Sequence, residues 1–478
     1  MKNKKLKILL VEPDFPKPSK SKNHNDFMPI GLLKLAAYHR KKGNAICIVR
    51  GEVPKETLFF EHPNGSIAKK KIPDEILITS YFTYWSKYVR KSVQYYKKLF
   101  QDSKIIVGGI YASLMPDHCK KYTGCDEVYV GVHKEAEQCS PAYTYLEKHY
   151  GNLDYQIMHT SRGCIRNCEF CGINKIEPQF EYKSTINKEI RKPKIIFYDN
   201  NLLANPYIEN ILTELAYLKK KSKIKWCEAQ SGLDGRIIEQ NPDLVILLKQ
   251  AGFKNIRISW DEPLSDEDHI KKQIDIIKKA GYNLKRDVFV FMIYNWNVPF
   301  EEMERKRIKC WEWKVQISDC RYRPLNQAFD RYNGQKFRTG QTSRDYHIHK
   351  ESGWSDKKNR TFRKHIRRQN ICIRLGIQFY SNVIEKSFLN KYTRDILIEI
   401  AKNYPIQQAE TILNDLKVPY WFPENYDGNG HFVSGEEIFN EFEALTNRRA
   451  EINGQRTSSF KKWRNKIQRE VLTNLNLI

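Results

Sequence analysis

Long apolar runs are missing from this sequence: nowhere in its 478 residues is there a stretch approaching the roughly 18–20 apolar residues of a membrane span. The first apolar segment, Ile8 to Val11, stops at Glu12, far short of the core of a signal peptide. A soluble cytoplasmic protein without membrane contact is expected. An even cysteine count is missing too. The 11 cysteines are scattered from Cys47 to Cys372, which argues against a disulfide framework. No internal repeat or low-complexity tract is present, which excludes a solenoid. Acidic residues are short: 56 Asp+Glu face 82 Lys+Arg, a formal charge of 82 − 56 = +26. That excess has two readings. It is a surface for nucleic acid or another polyanion, or it is the Lys-, Ile- and Asn-rich composition that an AT-rich genome produces.

What is present is enough apolar material to fold. A 40% hydrophobic fraction with 12% aromatics excludes global disorder. The length allows about two to four domains. Strand, helix and strand alternate at Leu6–Val11, Ile30–Lys42, Ala45–Val49, Glu75–Thr79, Tyr88–Leu99 and Lys104–Val107, the last running into Gly108-Gly109. That order predicts a doubly wound parallel sheet over residues 1–150, with ligands at the carboxyl ends of its strands. The glycine pair there either lets a ligand approach the backbone or makes an ordinary strand-end turn. A second series of six strands, from Gln156–Thr160 to Gln316–Tyr322, with helices between them, predicts a partial (β/α)6 barrel of the TIM type over 151–340. Residues 341–478 read as a basic, mainly helical region. Ser355 is expected to cap a helix running to Arg374 with Phe362, Ile366 and Ile373 as its apolar stripe, and further helices are expected at Asn390–Lys402, Gln407–Leu416 and Glu436–Ala450.

The strongest signal is Ser161-Arg162-Gly163-Cys164-Ile165-Arg166-Asn167-Cys168-Glu169-Phe170-Cys171-Gly172, a Cys-x3-Cys-x2-Cys run directly after the first strand of the second series. Three thiolates on one short loop suit a compact metal centre. Zinc usually takes four N/S ligands, and no matching fourth follows at structural spacing. An iron–sulfur cluster with three protein ligands leaves one iron open. The run resembles the radical S-adenosylmethionine (SAM) superfamily, with Phe170 in the family's aromatic position. The resemblance implies a 4Fe-4S cluster on Cys164, Cys168 and Cys171, and SAM on the open iron, cleaved by one electron to a 5′-deoxyadenosyl radical that takes a hydrogen atom from a substrate. It further implies Phe170 near the adenine and an electron donor of the flavodoxin or ferredoxin type.

The resemblance continues along the chain. Phe197-Tyr198-Asp199-Asn200-Asn201-Leu202-Leu203-Ala204 stands where the family binds SAM's amino group, in place of its Gly-Gly-Glu, so Asp199, Asn200 and Asn201 are candidate contacts. Arg236, in Ser231-Gly232-Leu233-Asp234-Gly235-Arg236, and Asp261, in Trp260-Asp261-Glu262, are candidates for the SAM carboxylate and ribose, or else form a structural ion pair. The N-terminal segment, with Ser80-Tyr81-Phe82 and Val107-Gly108-Gly109-Ile110, resembles a cobalamin-binding domain. There Ser80, Gly108 and Gly109 would surround the nucleotide tail. It departs from that family in lacking the Asp-x-His-x-x-Gly loop and in having Gly131-Val132-His133-Lys134-Glu135 where relatives often show Gly-Glu-Gly-Glu. The whole resembles an uncharacterised subfamily of cobalamin-domain radical SAM proteins, over residues 1 to about 340. With cobalamin, methyl transfer to an unactivated carbon is the reaction implied.

Cys320, beside Arg321 and Tyr322, reads as a hydrogen-atom donor or as a buried core thiol. The basic helix, the tail with Lys461, Lys462, Arg464, Lys466 and Arg469, and Trp354, Phe362 and Trp463 among these charges suit a nucleic acid substrate. A solvated helix face packed over a barrel suits them as well. A radical SAM enzyme acting on RNA without cobalamin is one alternative. The other is a non-catalytic iron–sulfur or zinc protein that binds nucleic acid, for which Cys227 or His159 would have to complete the trio.

Overall fold

The computed structural model describes residues 5–16, 29–150, 153–334, 340–381, 398–415 and 420–424. The helix expected at Glu436–Ala450, Trp463 and the basic tail lie outside these residues, as does most of the segment Asn390–Lys402. The chain divides into two compact units, Met1–Arg257 with Tyr322–His347, and Ile258–Arg321 with Ile348–Ile478.

The first unit opens with β1 (Lys7–Glu12), α1 (Ile30–Lys41), β2 (Ala45–Arg50), β3 (Glu75–Ser80), α2 (Ser86–Leu99), β4 (Lys104–Gly109), α3 (Ile110–Leu114), α4 (Pro116–Thr123) and β5 (Glu127–Val128). The strands form a five-stranded sheet in the order β2-β1-β3-β4-β5, parallel throughout. Alternation along β1 explains why its run is apolar without a break. Leu9 and Val11 pack with Val89, Val93 and Tyr96 of α2 on one face, while Ile8 and Leu10 pack with Leu32, Leu33 and Ala36 of α1 on the other. Both faces are covered, as the doubly wound expectation requires.

Then follow α5 (Lys134–Glu137), α6 (Tyr143–Tyr150), β6 (Tyr155–Met158), β7 (Ser161–Arg162), α7 (Ile173–Ile176), β8 (Glu181–Tyr182), β9 (Lys194–Phe197), α8 (Ile208–Lys220), β10 (Trp226–Ala229), α9 (Gly235–Gln240) and α10 (Asp243–Gln250). β6, β9 and β10 form a parallel three-stranded sheet with β9 in the centre. The buried stripe Ile208, Ile211, Leu212, Leu215 and Leu218 of α8 follows the three-and-four spacing of an amphipathic helix. The Tyr143 hydroxyl joins α6 to β6, donating to Ile157 O at 2.8 Å and accepting from Ile157 N at 3.0 Å.

The chain enters the second unit within β11 (Ile256–Ser259) and continues through α11 (Glu267–Lys279), α12 (Leu284–Asp287), β12 (Val288–Tyr294), α13 (Phe300–Glu312) and β13 (Gln316–Arg321). The strands stand in the order β11-β12-β13, with β12 and β13 parallel. The six strands of the second series thus exist where the periodicity places them, and they form two three-stranded sheets. The described residues beyond β13 include the helices α14 (Asp356–Leu375) and α15 (Ile406–Asp415). Ser355 Oγ caps α14 by accepting from Lys358 N at 3.2 Å, and Gly376, left-handed at φ 67°, ends it.

The structure corrects part of the reading of α14. Trp354 and Phe362, expected to stack on bases, are buried, and the Trp354 indole N–H donates to Val298 O at 2.9 Å. An apolar ring at stripe spacing is worth more in the core than on a wet face. Several of the helix's charges are also engaged: Arg360 with Asp356 at 2.8 Å, Lys358 with Glu301 at 2.9 Å and Arg363 with Asp319 at 3.3 Å. A second correction concerns Cys320, which is exposed, so it is not a core thiol. β13 stands at the edge of its described sheet, and its burial is interrupted at Asp319 and Cys320 before Arg321 is buried again.

Candidate functional site

The cysteine loop hangs from a short antiparallel clasp of β7 on β8, with Ser161 opposite Tyr182 and Arg162 opposite Glu181. Gly163 follows at φ 76°, and a Cβ there would lie 2.3 Å from the carbonyl oxygen of Gln179, so the close crossing of the two segments requires glycine. Beyond it Cys164, Cys168 and Cys171 are thiols of intermediate burial. Cys171 N donates to Cys168 O at 3.0 Å, closing the turn between them, and Arg166 N donates to Cys164 Sγ at 3.4 Å. Phe170 is half-buried beside Cys171. Gly172 packs against Leu114 of α3 and Leu325.

Each residue of the run 199–201, at the carboxyl end of β9, braces this loop. Asp199 Oδ1 accepts from Thr160 N and Oγ1 at 2.9 and 2.6 Å and from Ser161 N and Oγ at 2.6 and 2.9 Å. Asn200 Nδ2 donates to Glu177 Oε2 at 2.9 Å, and the same oxygen accepts from Gly163 N at 2.7 Å. Asn201 Nδ2 donates to Asp234 Oδ2 at 3.0 Å, which also accepts from Arg166 Nε at 2.8 Å.

Two acceptors in this run have no donor. Asp199 Oδ2 and Asn201 Oδ1 are buried without a hydrogen-bond partner, in residues only 2% and 5% exposed. Such groups are costly unless something meets them. Burial raises the Asp199 carboxyl above its ordinary range, against the four donors on its other oxygen. Asp234 is shifted the other way: burial raises it, but Arg166, Arg236 and Asn201 outweigh that and hold it low. His159 is buried and held well below its usual value, by burial first and then by Arg162, Lys34 and Lys183. Its Nε2 faces Arg162 at 2.8 Å and so accepts, which puts the ring proton on Nδ1.

The remaining expected residues are placed differently. Arg236 does pair with a carboxylate, that of Asp234 at 3.1 Å, through a short local contact at the start of α9. Asp261 and Cys320 belong to the second unit. The Asp261 loop is held from below by Lys306, a buried residue whose Nζ donates to Trp260 O at 2.8 Å and Glu262 O at 2.7 Å. Burial depresses that ammonium to about 8. On the five-stranded sheet, Ser80 Oγ donates to Gly108 O at 2.8 Å and accepts from Ala112 N at 3.1 Å. A Cβ on Gly109 would fall 2.2 Å from Ser80 O. Serine and glycine pair thus meet, and their contact is with each other. Around them Phe82, Ile110, Tyr129 and Val130 are exposed at the carboxyl ends of β3, β4 and β5. The residues missed in the sequence are Glu177, Asp234, Arg166 and Lys306. Asp234 and Arg166 stand inside motifs already singled out, while nothing in its local sequence marks Glu177.

Neither extra ligand proposed for a protein-only zinc site fits. Cys227 is fully buried in β10, with burial driving its thiol up, and His159 is committed to Arg162. Among the described residues no three His, Cys, Asp or Glu side chains gather for a single metal ion. A cubane cluster makes a different demand, since it takes its thiolates at separate corners.

No protein-family model matches this chain, and no curated protein matches it. Among solved structures, one that is similar is the cobalamin-dependent S-adenosylmethionine radical enzyme OxsB with aqua-cobalamin and S-adenosylmethionine bound. It is 13% identical, with a TM-score of 0.46, over 66% of this chain and 53% of that one. The match spans about half the length of the OxsB chain, and a likeness of this size carries no functional weight.

Proposed function

We propose that this protein is a radical SAM enzyme in which Cys164, Cys168 and Cys171 hold a 4Fe-4S cluster. The observation that carries the reading is the loop itself: three half-buried thiols at the carboxyl end of a parallel strand, braced residue by residue by the run Asp199–Asn201 at the end of the next strand. Bound there, cluster and SAM would supply one-electron cleavage and hydrogen-atom abstraction from an unactivated carbon. The chain's part is to wrap the three thiolates, which must lose their protons to bind, and to offer acceptors to a cationic ligand. Asp199 Oδ2 and Asn201 Oδ1 are two buried oxygens that the N–H donors of SAM's amino group would satisfy. Phe170 is proposed to pack on the adenine, Asn200 to contact SAM beside them and Arg236 to meet its carboxylate. Cys320, an exposed thiol, is kept as a hydrogen-atom donor.

Cobalamin is the second cofactor proposed, at the carboxyl rim of the five-stranded sheet. Its support is the exposed apolar row Phe82, Ile110, Tyr129 and Val130, which suits a flat, largely apolar ring. Because the Ser80 hydroxyl is already engaged, the contacts expected there come from the backbone of Gly108 and Gly109. With cobalamin, methyl transfer is the proposed reaction, driven by a flavodoxin- or ferredoxin-type donor.

Anaerobic reconstitution with iron and sulfide tests the reading. A brown protein that releases 5′-deoxyadenosine from SAM on reduction, with the release lost in Cys171→Ala, supports it. A colourless zinc protein inert to SAM would falsify it. Hydroxocobalamin that neither copurifies nor binds at roughly micromolar concentration removes the cobalamin part alone.

A further inference from the structure

The cysteine loop and the run 199–201 are joined through two carboxylates that belong to neither. Glu177, just past α7, has a side chain 8% exposed. Its Oε2 takes Gly163 N at 2.7 Å and Asn200 Nδ2 at 2.9 Å, and its Oε1 pairs with Arg162 at 2.7 Å. Asp234, before α9, has a side chain 6% exposed. Its Oδ2 takes Arg166 Nε at 2.8 Å and Asn201 Nδ2 at 3.0 Å, and its Oδ1 takes Arg236 N and Nε at 3.2 and 3.1 Å. In both cases one carboxylate oxygen is shared by a donor from the loop and a donor from the run. Gly163 immediately precedes Cys164, and Arg166 stands between Cys164 and Cys168.

We propose that Glu177 and Asp234 are positioning residues that lock the cysteine loop to Asn200 and Asn201. For its purpose this rests on the radical SAM reading, since it fixes the distance between a group on the thiols and a ligand on the run. Its geometry is independent of that reading. The other side chain that ties the loop is Asn174, whose Nδ2 donates to Arg166 O at 3.0 Å and to Asn167 Oδ1 at 2.6 Å, both neutral bonds. Ile165 is 52% exposed and the three cysteines are half-buried, so apolar packing within the loop is slight. A carboxylate suits the task because a single oxygen accepts two donors, and a buried charge-assisted bond contributes more than a neutral one. Glutamine at 177 would keep one accepting oxygen but turn an N–H toward Arg162, so E177Q is expected to fall between wild type and E177A.

Alkylation of the apo-protein with iodoacetamide, resolved by peptide mass spectrometry, reads the loop without any cofactor. Cys164 and Cys168 are expected to react about tenfold faster in E177A and D234A than in wild type, which is the effect on loop opening of losing one buried charged bond. Buried Cys227 is the internal reference and is expected to keep its rate. Asn200→Ala added to E177A is expected to add nothing, because both act through one bridge. In reconstituted protein the same variants are expected to retain iron while KM for SAM rises about tenfold and kcat changes less than about threefold. Cys164 and Cys168 rates within about twofold of wild type in both alanine variants overturn the proposal. Where an alanine variant exposes Cys227, E177Q and D234N decide it by the Cys164-to-Cys227 ratio, and an unchanged ratio overturns it. Failure of the radical SAM reading shows separately, as wild-type protein that does not cleave SAM whatever its alkylation rates.

Discussion

Gly163→Ala tests how tightly the cysteine loop is built. Two penalties meet at this position. The backbone is left-handed at φ 76°, which for a residue with a Cβ costs roughly 1–3 kcal/mol. The new methyl would also lie 2.3 Å from Gln179 O and 3.0 Å from Gln179 C, both backbone atoms that cannot rotate away. Ordinary contact begins at 3.4 Å, so the crossing must open by 3.4 − 2.3 = 1.1 Å. Gly163 N sits 2.7 Å from Glu177 Oε2, so an opening of that size stretches the hydrogen bond beyond its useful range. The total is on the order of 3 kcal/mol or more, concentrated at the residue before Cys164. Two measurements follow: the melting temperature of the apo-protein, expected to fall by several degrees, and iron bound after anaerobic reconstitution, expected to fall below about half of wild type. A G163A protein that melts and loads iron as wild type does would refute the reasoning, because the loop would then tolerate a conformation that these contacts forbid.

Asp199→Asn keeps the oxygen that serves Thr160 and Ser161 but turns a donor toward the orphaned side, so it is expected to melt as wild type does yet bind SAM about ten- to a hundredfold more weakly by equilibrium dialysis. Equal SAM affinity would remove Asp199 from the ligand site. Asp234 is held below its ordinary value in the fold, so its stabilisation is present above the unfolded value of 3.8 and is lost as pH falls through the lower folded one. The apo-protein is expected to lose melting temperature below about pH 4, and Asp234→Asn to lose less over the same range. Lys306 runs the opposite way. Its folded value of about 8 lies below the ordinary 10.5, so the native state binds fewer protons between them and stability rises with pH there, by at most about 3 kcal/mol. Melting between pH 8 and 10 is expected to show that gain in wild type and a flat profile in Lys306→Met.

Much of this was legible in the chain. The strands of both series lie within one or two residues of where apolar periodicity puts them, because burial on both faces of a parallel sheet leaves an apolar run that few other structures need. The cysteine trio was legible for a chemical reason, since its spacing lies within one loop. Phe362 shows where such reasoning divides. Its place in the apolar stripe of α14 was correct, and the same ring cannot also face solvent to stack on a base. The run Asp199–Asn201 divides similarly: its place at a strand end was legible, but three of its side-chain polar atoms serve the cysteine loop, and two buried oxygens meet no protein donor.

The sequence by itself determined the α/β class, the parallel character of the first sheet and the three thiols, all of which depend on residues near one another in the chain. The tertiary structure alone decided how that loop is held. Glu177 comes 14 residues after Gly163, and Asp234 comes 68 residues after Arg166. Buried charges leave no periodic trace in a sequence, because their partners are chosen by the approach of two loops in space and not by spacing along either one.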